Sequence, residues 1–186
     1  MINRKEHLTI EGLRKIVNLK ASINSGLSDG LKKAFPDTVP VQRPLVKDQI
    51  IKDPHWLAGF ASGEGSFYIK IFKSKAKLGE SVILTFQITQ HIRDEELLRS
   101  LVKYLDCGKV YIRPGQAVDF KITQFEELTD KVIPFFQKYP IVGVKALDFA
   151  DFLVATELIK NKAHLTFEGL EKIRLIKFAM NTKREN

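Results

Sequence analysis

A single cysteine, Cys107, is all the thiol in the 186-residue chain, which excludes an intrachain disulfide framework and leaves too few thiolates for a zinc knuckle. No apolar run approaches the roughly 18 residues that a membrane span requires. The opening Met-Ile-Asn-Arg-Lys-Glu-His has no apolar segment of the signal-peptide kind. A soluble protein with no membrane partner is therefore expected. Acidic residues are in deficit, with 22 Asp+Glu against 30 Lys+Arg and a formal net charge of +8. An apolar content of 44% excludes disorder for most of the chain, and the length suits one compact domain plus an appendage. The basic surplus suits a polyanion such as nucleic acid, but charge alone does not identify one.

Two distant segments resemble each other. Lys5-Glu6-His7-Leu8-Thr9-Ile10-Glu11-Gly12-Leu13-Arg14-Lys15-Ile16 is echoed 157 positions later by Lys162-Ala163-His164-Leu165-Thr166-Phe167-Glu168-Gly169-Leu170-Glu171-Lys172-Ile173. Each copy has a Thr at a helix N-cap, a Glu in the first turn where the helix dipole favours it, and an Ile/Leu stripe. The repetition points to duplication, with residues 1–30 as the terminal helix and tail of a preceding repeat and 54–186 as a complete one. Between them, 31–53 reads as a linker, since Pro36, Pro40 and Pro44 favour extended backbone over helix. The paired His7 and His164 suggest a structural role, whereas His55 and His91 lack partners at ligand spacing and read as surface residues.

In the complete unit, a short helix with Pro54 in its first turn and many small residues gives way to residues of period two. From Ser66 to Ser74, Phe67, Ile69 and Ile71 share one face; from Ser81 to Thr89, Val82, Leu84, Phe86 and Ile88 do the same, and the two strands form a hairpin around Gly79. An amphipathic helix over 94–105 follows, with Gly108 beyond its end. A second hairpin runs from Lys109 to Arg113, through Pro114-Gly115, and from Ala117 to Thr123, with Val110, Ile112, Val118, Phe120 and Ile122 inward. Helices over 125–137, 145–160 and 166–181 close the unit. The order predicts an α+β fold, a four-stranded antiparallel sheet with helices on one face. Its other face carries Lys70, Gln87, Lys109, Tyr111, Arg113 and Lys121 with hardly a carboxylate except Asp119.

Leu57-Ala58-Gly59-Phe60-Ala61-Ser62-Gly63-Glu64-Gly65 resembles the LAGLIDADG signature of the homing endonucleases. Phe60, Ala61, Ser62, Gly63 and Glu64 depart from the name-giving letters, but the one position that must be acidic in that family holds Glu64. Thr85-Phe86-Gln87-Ile88-Thr89-Gln90 and Gly143-Val144-Lys145-Ala146-Leu147-Asp148-Phe149 also look like that family, so the resemblance covers essentially all of 50–186. Residues 1–49 resemble the last helix and linker of single-chain, two-repeat members encoded by fungal mitochondrial introns, and the resemblance implies the αββαββα fold and a mitochondrial location.

The small residues Ala58, Gly59, Ala61 and Ser62 would let a second such helix approach backbone to backbone. The partner expected is a second LAGLIDADG repeat, either another copy or a separate N-terminal half. The resemblance makes Glu64 and the Gly63 carbonyl ligands of Mg²⁺ or Mn²⁺, a hard cation that takes oxygen donors, with Ca²⁺ binding but not supporting cleavage. It makes Lys145 the active-site lysine and Gln90 the residue that orders active-site water. The implied activity is hydrolysis of both strands of a long, specific double-stranded DNA site. RNA-binding maturase activity and an inactive DNA-binding module on the same fold are the alternatives.

A two-stranded ribbon fits the major groove, so the outward strand residues are the expected DNA contacts. The first hairpin offers Ser66, Tyr68, Lys70, Phe72, Ser74, Ser81, Ile83, Thr85 and Gln87. The second offers Lys109, Tyr111, Arg113, Gln116, Asp119, Lys121 and Thr123. Lys75 and Lys77 in the first hairpin's loop suit phosphates. Arg113 suits guanine O6/N7, Gln87 an adenine edge, and Ile83 a thymine methyl.

Overall fold

The computed structural model describes residues 3–43 and 49–181. The chain divides into two compact units, Met1–Asp48 and Gln49–Asn186. Among the described residues no helix is long and apolar enough to cross a membrane.

In the first unit, α1 (Ile10–Ala21) starts at Thr9, whose hydroxyl oxygen accepts from the Gly12 N–H, so one of the unpaired N-terminal amides is satisfied. A second helix, α2 (Asp29–Ala34), is capped by Ser28 and runs into the stretch read as linker. The proline-bearing segment after it does not run free either. Val41 donates from its N–H to the Asn18 carbonyl and accepts from the Ser22 hydroxyl, which lays residues 35–41 back along α1. Pro44 and the rest of 44–48 lie outside the described residues.

The second unit follows the expected order. Helix α3 (Pro54–Glu64) leads into β1 (Gly65–Lys73) and β2 (Glu80–His91), then α4 (Glu95–Leu105), β3 (Lys109–Arg113) and β4 (Ala117–Ile122). The sheet is antiparallel in the order β1-β2-β4-β3, so the second strands of the two hairpins lie side by side at its centre. A helical stretch follows, α5 (Phe125–Glu127), a π turn over Leu128–Val132 and α6 (Ile133–Lys138), and then α7 (Lys145–Lys160) and α8 (Phe167–Ala179). The sequence read 125–137 as one regular helix. Pro134 has no N–H to give, and its ring crowds the carbonyl four residues back, where the widened turn lies.

The core lies between the sheet and its helices. Phe67 on β1 packs against Phe86, Phe136, Phe149 and Phe152 with ring centroids 4.8, 5.6, 5.0 and 5.3 Å away, geometry that adds to plain area burial. Strand alternation turns Phe67, Phe86 and the other apolar strand residues toward the helices, as expected, with one exception. Ile112 pairs with buried Val118 but is 62% exposed, because it lies at the end of an edge strand. Thr123 lies just past the end of β4.

The duplicated segment is duplicated in conformation. Lys5 and Lys162 both adopt the left-handed region before a 3₁₀ turn, and Asn24 and Asn181 adopt it again at the far end. Both Thr caps accept from a glycine N–H at 3.1 Å. A Cβ on Gly12 or Gly169 would collide with a backbone carbonyl, Glu6 or Ala163, so both glycines are required by close approach. His7 and His164 bury the same ring atom, Nδ1.

Candidate DNA interface and cleavage site

Asp53 caps α3 through the His55 N–H at 2.9 Å, and Pro54 fills the first turn where no N–H is needed. The helix then divides its small residues between two sides. Leu57, Ala58 and Ala61 are buried, which corrects the expectation that Ala58 and Ala61 lie on the surface offered to another repeat. Gly59 and Gly63 are exposed, with nothing within 4 Å of where a Cβ would stand. Ser62 is half-buried, donates to the Ala58 carbonyl at 2.7 Å and accepts from the Val142 N–H at 3.1 Å. Trp56, beside them, is 44% exposed and stacks on Phe60.

The Ser62 bond anchors the turn that starts α7, where Gly143 takes a φ of +73° that a residue with a Cβ rarely adopts. Lys145, the first residue of α7, then reaches back and donates from Nζ to the Gly63 carbonyl at 2.9 Å. Burial pulls its pKa below the usual lysine range, while the negative charges of Glu64 and Asp148 pull the other way. Asp148 is itself buried and accepts from the Asn181 N–H at 2.9 Å, and the Asn181 amide donates to the Phe67 carbonyl at 3.1 Å. Glu64, exposed at the end of α3, leads directly into β1. A side chain on Gly65 would meet the Ala61 carbonyl at 2.6 Å, so this tight passage requires glycine.

Glu64, Gly63 and Lys145 are therefore together. Gln90 is not bonded to them. It stands opposite Val118 near the end of β2, half-buried on the helix side of the sheet. Among the described residues there is no group of three or more His, Cys, Asp or Glu side chains able to hold a metal. The donor set present is one free carboxylate and one backbone carbonyl. That suits half of a site for a hard cation, which binds through one or two carboxylates and completes its shell with water and phosphate oxygens.

The register aligns the opposite sheet face in rows. Ser66, Gln87, Lys121 and Lys109 are mutual neighbours across all four strands, and Thr89, Asp119 and Tyr111 form the next row. Lys70, Lys109, Tyr111, Arg113 and Gln116 are exposed, while Ser66, Tyr68, Phe72, Ser81, Ile83, Gln87 and Lys121 are half-buried. Lys70 lies over the Phe72 ring and Lys121 over that of Tyr111. In the β1–β2 connection, Ser74 accepts from the Ser81 hydroxyl at 2.7 Å and Lys75 and Lys77 are exposed.

Two expected contacts are not presented to solvent. Thr85 is 2% and Asp119 3% exposed, although both point to the polar face. Asp119 lies beneath Thr89, whose hydroxyl donates to it at 2.7 Å, and faces Arg113 at 3.6 Å and Lys121 at 4.0 Å. Sequence reasoning placed Thr89 outward without assigning it a part in the site, and did not foresee the link of Ser62 to Val142. A lone carboxylate on a cationic face was the available signal for the first; no sequence signal marks the second.

Comparison with known proteins accords with this geometry. The profile of the LAGLIDADG endonuclease family matches residues 57–156. A probable intron-encoded endonuclease 3 of Neurospora crassa is 43% identical over 95% of this chain, and a probable intron-encoded endonuclease 2 of the same organism is 40% identical over 90%. The chain spans about a third of the length of these curated relatives, 33% and 38%. Among solved structures, the I-SmaMI LAGLIDADG homing endonuclease bound to cleaved DNA superposes with a TM-score of 0.95 at 48% identity, over 99% of this chain and 62% of that one. I-SmaMI bound to an uncleaved target in the presence of calcium ions gives a TM-score of 0.93 at 48% identity, over 97% of this chain and 62% of that one. I-LtrWI, a homing endonuclease bound to its target DNA, gives 0.94 at 47% identity, over 99% of this chain and 62% of that one. With a profile match over more than half its length and a 43% identical relative spanning 95% of it, the chain belongs to the LAGLIDADG endonuclease family.

Proposed function

We propose that this chain supplies one half of a site-specific double-stranded DNA endonuclease, which hydrolyses phosphodiester bonds with a divalent metal between two LAGLIDADG helices. The observation that carries this reading is the bond from Lys145 Nζ to the Gly63 carbonyl at 2.9 Å, which holds an ammonium beside Glu64 at the end of α3, where the chain enters the sheet. The solved relatives bound to DNA support DNA as the partner, the relatives named as intron-encoded support an intron origin, and a more distant relative named as a mitochondrial protein of Saccharomyces cerevisiae supports the mitochondrial setting expected from the sequence.

The chain's own groups divide the work. The cationic face grips phosphates and presents Gln87 and Arg113 to base edges. Glu64 and the Gly63 carbonyl would hold a Mg²⁺ or Mn²⁺ ion, which when bound polarises the scissile phosphate. Lys145, with its proton loosened by burial, is placed to hold or release a proton at Nζ beside the attacked phosphate. The surface of exposed Gly59 and Gly63 with half-buried Ser62 would seat the second α3-like helix.

That second helix belongs to a preceding repeat, of which residues 1–30 are the end. Leu13, Ile16 and Ile23 occupy the positions of Leu170, Ile173 and Met180. The latter three are buried in their own repeat, whereas Leu13 and Ile23 are exposed and Ile16 only half-buried. Asn24, with the same left-handed backbone as Asn181, stands where a carbonyl like that of Phe67 would be its acceptor.

The test is cleavage of a randomised duplex library by the chain, alone and co-expressed with a LAGLIDADG repeat lacking its last helix. Double-strand cuts that require Mg²⁺ and are lost in Glu64→Gln, with binding retained, are expected. Glu64-independent cutting, or selection of RNA over duplex DNA, would overturn the proposal.

A further inference from the structure

We infer that Asp119, acting through Thr89, locks the amide of Gln87 in one orientation and thereby sets which base Gln87 accepts. The inference rests on the DNA-contacting role proposed above for this face and goes beyond it, since neither Asp119 nor Thr89 touches the base in this scheme.

The argument starts from an asymmetry of donors. Asp119 as a carboxylate can only accept, and it is buried. The Thr89 hydroxyl, 2.7 Å away, must therefore direct its one proton at Asp119. That leaves Thr89 Oγ1 only lone pairs for its other neighbour, Gln87, whose side chain is 2.9 Å away. Gln87 must then turn its NH₂ group to Thr89, and its carbonyl faces the other way. There the Tyr68 hydroxyl donates to Gln87 Oε1 at 3.0 Å. One proton-direction runs through the chain of bonds, from Tyr68 to Gln87 to Thr89 to Asp119, across β1, β2 and β4.

The usual ambiguity of a glutamine amide is removed by this arrangement. Gln87 keeps one free N–H and one free carbonyl lone pair, each on a known side, which is the pattern that matches adenine N7 and N6 and mismatches guanine, whose N7 and O6 both accept. The carboxylate also faces Arg113 and Lys121, so a single buried charge orders groups on β2, β3 and β4. Asp119 and Thr89 are positioning residues, and Gln87 is the reader.

Substitutions separate this from a merely structural role. Thr89→Val keeps the shape and removes the relay, Thr89→Ser keeps the hydroxyl, and Asp119→Asn supplies an NH₂ that can donate to Thr89 and so permit the whole chain to reverse. In the free 186-residue chain, side-chain amide NMR is expected to show Gln87 protons dispersed in the native protein and in Thr89→Ser, and collapsed to solvent-exposed values in Thr89→Val. Unchanged Gln87 resonances in Thr89→Val would overturn the inference. In selection from a randomised duplex pool, Gln87→Ala identifies the base pair that residue 87 reads. At that pair, Thr89→Val and Asp119→Asn are expected to lose roughly tenfold of the adenine preference while Thr89→Ser retains it and other positions keep theirs. Retained preference in Thr89→Val, or loss spread evenly over the site, would overturn it. Selection is carried out with the chain co-expressed with the second repeat, and a native pair that selects no duplex would instead sink the nuclease reading, leaving the NMR comparison to judge the relay by itself.

Discussion

Cys107 shows how one residue ties the fold to pH. It is buried behind α4, and burial, reinforced by the nearby negative charge of Glu127, pushes its thiol up to about 11 from a reference of 9.0. The folded state keeps its proton where the unfolded chain has lost it, so stability falls as pH rises between these values. The loss is of order 2 kcal/mol, and denaturant titrations at pH 8 and pH 11 are expected to show it as an excess over Cys107→Ala. Next to it, Gly108 sits at a φ of +78°, and a Cβ would stand 2.6 Å from the Ile122 side chain. Gly108→Ala is expected to cost about 2 kcal/mol or more, from strain and collision together, read as a drop in urea midpoint. At this scale the sequence was only partly legible. Alternation assigns a face, and it put Asp119 and Thr85 on the polar one correctly. It says nothing of depth, which depends on how neighbouring strands' side chains lean across, and so both residues are buried where exposure was expected, while Ile112 is exposed where burial was.

Among the elements, helices declared themselves at their ends. Thr166 and Thr9 cap as read, and Thr166→Ala is expected to cost about 1 kcal/mol, visible as a fall of a few degrees in melting temperature. Helix α8 is held further by Arg174, which pairs with Glu171 on its own helix and with Glu80 at the start of β2. Strand bounds were legible within a residue or two because the alternation of apolar and polar residues breaks off at the strand ends. The π turn before α6 and the helix over Asp29–Ala34 were not. The first arises where Pro134 conflicts with a regular ladder, and the second is six residues long with no buried position, too short for a periodic signal. The bond from Ser62 to Val142 spans 80 positions, and no local pattern marks such a pairing.

For the whole molecule, the net charge is +8, and one sheet face carries Lys70, Lys109, Arg113 and Lys121 with Asp119 as the carboxylate among them. Affinity for duplex DNA is expected to fall linearly on a log–log plot against salt, and replacing Lys70 or Lys109 by Ala is expected to lower the slope by about one where the residue meets a phosphate. Binding isotherms at four or five salt concentrations check this, and an unchanged slope means that the lysine meets no phosphate.

The conformational copy at the two ends of the chain has another consequence, in folding kinetics. Residues 5–24 and 162–181 share capping turns, left-handed ends and apolar spacing, so the nascent chain contains two segments that fit one seat, the groove that α8 fills against β1 and α7. The N-terminal copy leaves the ribosome before the strands and helices that line that groove. α1 is expected to compete with α8 for that seat, so that refolding splits into a fast productive phase and a slow phase limited by ejection of the wrong helix. A charged residue at Leu13, where the seated copy has buried Leu170, would bar the wrong helix and leave the fast phase alone.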